Sequence, residues 1–111
     1  MNFTTTTHKR CEILKTSGRV DGSTAPELEA ALKAIMEAGK HNIVFDMSEV
    51  NFLSSAGWWV LIGTQKECKK LGRGELVLAC VDKTIHDSLI LVGMEEYFKI
   101  FDDITSAVGS F

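Results

Sequence analysis

The period of apolar and polar positions changes along this chain, and the changes mark out its elements. "FTTTTH" at 3–8 is rich in β-branched residues, and "CEILKTS" at 11–17 alternates in part. Both are predicted strands of an antiparallel pair, with His8, Lys9 and Arg10 as the hairpin tip. From Gly18 the stretch "GRVDGSTAPELEAALKAIMEAG" turns helical: Leu28, Leu32, Ile35 and Met36 fall at i, i+4, i+7 and i+8 on one stripe. Thr24 and Glu27 have capping-box spacing, and Pro26 sits in the first turn, where its missing N–H is not needed. Gly39 is the expected stop.

"HNIVFDM" at 41–47 is a short continuous apolar run, the pattern of a strand covered on both faces. After "SEVNFL" a helix is predicted from about Ser55, with Leu61, Cys68 and Leu71 inward and the lysines of "KECKKLG" mostly on other sides. "ELVLACV" reads as a second buried strand, and "DKTIHDSLILVG" as a short helix with Ile85, Leu89 and Val92 on its inner face. "YFKIF" reads as a last strand and "DDITSAVGSF" as a terminal helix that starts on an Asp. The order β-β-α-β-α-β-α-β-α predicts a single α/β domain spanning 1–111. Its sheet is mixed but mostly parallel, with about five strands, an N-terminal antiparallel pair and about four helices.

A chain of 111 residues suits one hydrophobic core. Lys and Arg number 12 against 15 Asp and Glu, for a net charge of -3, so no basic face for nucleic acid is expected. No apolar run approaches the roughly 20 residues that cross a bilayer, so no membrane insertion is expected. The N-terminal "MNFTTTTHKR" lacks the order of a secretory signal, and the expected location is the cytoplasm. Cys11, Cys68 and Cys80 are odd in number and widely spaced, which fits reduced thiols, with Cys68 as a small core residue.

The constellations of an enzyme are missing. There is no GxxxxGK[ST] or GxGxxG loop, and "LSSAG" lacks the leading glycine of a GxSxG elbow. His8, His41 and His86 read as surface or strand-end residues. His8 with Cys11 supplies two ligands, which is short of a metal site. Glu95-Glu96 and Asp102-Asp103 read as solvated turns and a helix start. No catalytic residue, metal or cofactor is expected.

The informative stretch is Ser54-Ser55, between a buried strand and a helix, at the edge where open α/β sheets meet ligands and partners. One reading is N-capping, in which a serine oxygen accepts an orphan N–H for about 1 kcal/mol. The other is a phosphoacceptor, because the amides and dipole at a helix start accommodate a phosphate without unfolding anything. Such a modification brings roughly -1.5 to -2 charges to an exposed edge.

Three stretches together resemble a known family: "GRVDGSTAPELEAAL", "IVFDMSEVNFLSSAGWWVLIG" and "GRGELVLACVDKTIHDSLILVGMEEYFKIFDDITSAV". They are similar, in order and over residues 10 to 108, to the STAS domain, specifically its bacterial anti-sigma factor antagonist group. The resemblance is most specific at the strand–serine–helix segment, which the family writes Asp-Ser-[Ser/Thr/Ala]-Gly-Leu-Gly. It implies transcription regulation by partner switching. The unphosphorylated antagonist binds a serine kinase of the histidine-kinase-like ATPase fold that doubles as the anti-sigma factor, and a sigma factor is released. The kinase phosphorylates the antagonist, and a PP2C-type phosphatase reverses it. By the same resemblance the phosphoacceptor is Ser55, with Ser54 as second candidate. The partner-binding set is Asp21, Ser54, Ser55, Gly57, Trp58 and Trp59.

Two departures stand out. Ser54 replaces the acid that usually precedes the phosphoacceptor, and Trp58-Trp59 replaces Leu-Gly. Adjacent helical residues point about 100° apart, so Trp58, three before Leu61, is the expected core residue and Trp59 the exposed one. An exposed Trp59 suits a hot-spot anchor, or it packs on its own loops. A homodimer through this edge is compatible with the sequence. The alternative function is a constitutive STAS subunit of another complex, a lipid-transport ATPase or a sensory scaffold, in which Ser55 only caps.

Overall fold

The computed structural model describes residues 2–8 and 10–111, so Lys9 of the expected hairpin tip lies outside the described residues. The N-terminal segments form β1 (Phe3–Thr7) and β2 (Glu12–Val20), antiparallel, with Phe3 opposite Thr16 and Thr7 opposite Glu12. The chain continues through α1 (Ala25–Glu37), β3 (Asn42–Leu53), α2 (Ser55–Lys69), β4 (Glu75–Ala79), α3 (Lys83–Leu91), β5 (Ile100–Phe101) and α4 (Ile104–Gly109), with single 3-10 turns at 70–72 and 95–97. The sheet order is β1-β2-β3-β4-β5, and every pair after the first is parallel. The fold is therefore the expected α/β arrangement of a five-stranded mixed sheet and four helices.

Alternation along the central strands divides the core in two. Ile43, Phe45 and Met47 of β3 and Leu76 and Leu78 of β4 join Leu28, Leu32 and Ile35 of α1 and Leu61 and Cys68 of α2. Val44, Val77 and Ala79 face the other way, onto Ala107 of α4. Each fully buried Leu or Ile here contributes about 2 kcal/mol. Gln65 ties α2 to the sheet start: its side chain donates to the carbonyls of Leu76 (2.9 Å) and Tyr97 (2.7 Å) and accepts from the Leu76 N–H (2.7 Å). All of its amide groups are thus paired although the residue is buried. Among the described residues no helix is long and apolar enough to cross a membrane.

Several local expectations need correction. Strand β3 runs on through the polar "SEVNFL" to Leu53, because β2 pairs with it as far as Val20. Thr24 and Glu27 do not form a capping box. The Thr24 hydroxyl donates to the Arg19 carbonyl and accepts the Asp21 N–H, both at 2.9 Å. The turn at 21–24 already leads into the helix, with the Ala25 N–H on the Asp21 carbonyl (2.8 Å), so the cap moves back to Asp21. Leu71 is not inward: α2 ends before it, its φ is 58°, and it is 90% exposed. Val92 is exposed because α3 stops at Leu91 and Gly93 (φ 73°) turns the chain away. The last strand is two residues long, since 95–97 is taken by a 3-10 turn.

Candidate functional site at the C-terminal edge of the sheet

The parallel strands β2 and β3 end together, and their ends build the site. The Ser54 N–H donates to the Val20 carbonyl (2.9 Å), which locks the β3–α2 junction onto the end of β2. Helix α2 then starts at Ser55, and its first internal bond runs from the Trp58 N–H to the Ser54 carbonyl (3.0 Å). The amides of Ser55, Ala56 and Gly57 precede that bond, so they are the orphan donors of the helix start.

The two serines occupy different environments. Ser54 stands at the N-cap position with extended backbone (φ -81°, ψ 174°), but its side chain makes no cap bond. Its Oγ is buried and has no hydrogen-bond partner. Ser55 is exposed at the first helical position. Neither serine acts as a capping side chain, so N-capping does not account for the pair. A reagent arriving from solvent meets the Ser55 hydroxyl and not that of Ser54.

Gly57 lets the helix sit this close. A Cβ there would overlap Leu53 Cδ1 and stand 2.9 Å from Val20 Cγ1, so a side chain would force the buried Leu53 and Val20 side chains or the first turn of α2 to give way. Trp58 is turned inward and is 1% exposed. Its Nε1–H donates to Ser88 Oγ (3.2 Å), which joins α2 to α3, and its ring lies 6.2 Å from that of Phe98. Trp58 therefore supports the site from beneath and cannot touch a partner, a correction to its expected place in the binding set. Trp59 is 61% exposed one step around the helix.

Asp21 completes the edge. Its Oδ1 accepts the Ser23 N–H (3.0 Å), the Ser23 hydroxyl (2.7 Å) and the Thr24 N–H (3.2 Å). The Ser23 hydroxyl and then its amide hold the Asp21 carboxyl below its ordinary pKa. Arg19 Nε lies 3.9 Å from the other oxygen, while the Arg19 guanidinium covers the ring of Phe52 at 4.1 Å. This cation–aromatic pair was not singled out from the sequence, since Arg19 and Phe52 are 33 positions apart and meet only through the β2–β3 register.

No histidine or carboxylate is hydrogen-bonded to either serine, and among the described residues no group of three or more His, Cys, Asp or Glu is placed to hold a metal ion. Cys11, Cys68 and Cys80 are free thiols, and burial pushes that of Cys68 up to about 11. Chemically the β3–α2 junction offers the exposed Ser55 hydroxyl and a set of free amides, beside the fixed Asp21 carboxylate.

Known proteins share the sequence pattern and the fold of this chain. The STAS domain profile matches residues 2–107. The anti-sigma-B factor antagonist of Staphylococcus epidermidis is 26% identical over 100 residues, covering 90% of this chain and 92% of the relative. Among solved structures, an anti-sigma factor antagonist from Mycobacterium paratuberculosis superposes with a TM-score of 0.86 at 24% identity, covering 98% and 92% of the two chains. The Bacillus cell fate determinant SpoIIAA in its phosphorylated form superposes at 0.73 and 14% identity, covering 98% of each.

Proposed function

The chain belongs to the STAS domain family, and we propose that it is an anti-sigma factor antagonist switched by phosphorylation of Ser55. The observation that carries this reading is the contrast between the serines: Ser55 is exposed at the first position of α2, while the Ser54 Oγ is buried. The names of the relatives support the role, and the phosphorylated state of one structural neighbour is in keeping with it.

In the unmodified state the edge formed by Asp21, Ser55 and Trp59 docks on a serine kinase of the histidine-kinase-like ATPase fold. That kinase doubles as the anti-sigma factor, and its capture frees a sigma factor. In the transfer step the Ser55 Oγ attacks the terminal phosphorus of ATP. A Oγ–P bond forms, the bond from that phosphorus to the bridging oxygen breaks, ADP leaves, and the hydroxyl proton passes to a base on the kinase. A PP2C-type phosphatase returns the hydroxyl by hydrolysis. The chain is a substrate in both reactions and holds no cofactor of its own.

The phosphate stays on the surface, where the orphan amides and the positive end of α2 favour it. The fold has no reason to change. The partner instead meets about two negative charges beside Asp21, with like-charge repulsion and a desolvation cost. Peptide mass spectrometry after incubation with the cognate kinase and ATP tests the assignment. Phosphate on Ser55, lost in Ser55→Ala and retained in Ser54→Ala, is the expected result. Equal phosphate uptake by Ser55→Ala overturns it.

A further inference from the structure

The outward face of α2 carries features that folding of one chain does not require. Gly63 lies in the helix interior, where glycine costs about 1 kcal/mol relative to alanine, yet a Cβ there would meet nothing within 4 Å. No internal contact calls for it. One turn earlier on the same face stands Trp59, 61% exposed. A broad knob and an empty hole thus sit four residues apart. Beside them runs the groove between α1 and α2, of about 500 Å³, lined by Glu29, Lys33, Met36, Val60 and Gly63 among others. Glu29 and Lys33 are one turn apart on α1 and have no ion-pair partner among the described residues.

We propose that this face binds a second copy of the chain, α2 against α2, antiparallel about a two-fold axis between Trp59 and Gly63. The axis sets each Trp59 over the other copy's Gly63, where the missing side chain lets an indole lie against helix backbone. It also exchanges Glu29 and Lys33, so that each carboxylate approaches the other copy's ammonium. Such an isologous contact needs a self-complementary patch, and knob-with-hole plus acid-with-base supplies one.

The area sets the size class. Helices of 13 and 15 residues are about 20 and 22 Å long. Two such faces meeting bury roughly 1,000–1,200 Å² in all, the low end of specific interfaces. Its size therefore places the dimer in the weak, reversible class. It stands on the geometry of α1 and α2 and not on the phosphorylation reading.

Sedimentation velocity of the purified chain, followed across about 1 to 500 µM, tests it. A monomer–dimer equilibrium with a midpoint of tens of micromolar is expected. Trp59→Ala and Gly63→Leu each weaken it at least tenfold. Gly63→Leu points into open space, so its circular dichroism and melting transition remain those of a folded chain. Glu29→Lys also weakens association, and adding Lys33→Glu to it restores association. A chain that is monomeric throughout overturns the proposal, and so does a dimer unmoved by Trp59→Ala and Gly63→Leu. Either outcome leaves the Ser55 assignment untouched, because no kinase enters the experiment.

Discussion

The same substitution at two glycines of α2 is expected to act with opposite sign, and the difference measures how tightly the serine edge is built. In Gly57→Ala the new methyl overlaps Leu53 Cδ1 and stands 2.9 Å from Val20 Cγ1. Leu53 and Val20 are both buried, so neither side chain is free to swing into solvent. Overpacking of this kind costs about 1–3 kcal/mol, and the gain in helix propensity returns at most about 1 kcal/mol. The expected net loss is about 0–2 kcal/mol. In Gly63→Ala the methyl meets nothing, so only the propensity term acts and the chain gains about 0.5–1 kcal/mol. For a domain of this size 1 kcal/mol corresponds to roughly 4–8 °C in Tm. Urea denaturation of wild type and both variants at low micromolar protein, where the monomer prevails, reads the pair directly. If both variants shift in the same direction by the same amount, the close approach of α2 to the strand ends does not govern this edge.

Further outcomes follow from individual side chains. Ser54→Ala removes a buried hydroxyl that has no partner, so urea midpoints should stay level or rise by up to about 1 kcal/mol; a loss of that size would mean the serine caps α2 after all. The carboxyls of Asp21 and Asp103 are held low, by Ser23 and by the Ser106 amide respectively. A folded pKa below the unfolded one stabilises above the unfolded value and is lost as pH falls, so Asp21→Asn with Asp103→Asn should flatten the loss of stability below about pH 4. Trp58→Ala should cost about 3–5 kcal/mol through the cavity it leaves, whereas Trp59→Ala should change monomer stability by less than about 0.5 kcal/mol, as thermal melts would report. With its thiol pushed up to about 11 by burial, Cys68 should resist alkylation at pH 8 until the chain is unfolded, while the less buried Cys80 labels first in a mass-spectrometric time course.

The order and direction of the strands were legible because period and run length change where the elements change. Leu28, Leu32 and Ile35 of the α1 stripe and the run "IVF" are buried as read, while Met36 is half-buried. Boundaries were harder, for physical reasons. The polar half of β3 is strand because β2 pairs alongside it, and a pairing partner leaves little mark on the sequence it pairs with. Thr24 and Glu27 have the spacing of a capping box, but the Asx-type turn at Asp21 takes the amides first. Leu71 fits the helical stripe by number alone, since one left-handed residue after Lys70 breaks the register. At the site, the inward Trp58 and outward Trp59 follow from their angular separation on α2. The unpartnered Ser54 Oγ does not, because it depends on how the junction turns between Leu53 and Ser55.

That junction also bears on the replaced acid. An aspartate at position 54 would place a carboxylate beside the proposed phosphoacceptor before any phosphate arrives. Here the position is a neutral hydroxyl, already withdrawn from solvent. The Asp21 carboxylate of this edge is engaged by Ser23 and Thr24 and lies near Arg19. On the proposed reading, a phosphate of about -2 on Ser55 is then the largest change in charge between the two states of this edge. Electrostatic discrimination between the two states depends on that difference. On that reading, serine in place of the acid leaves one formal charge fewer next to the phosphate, while Gly57 and Trp58 keep the backbone that carries it fixed.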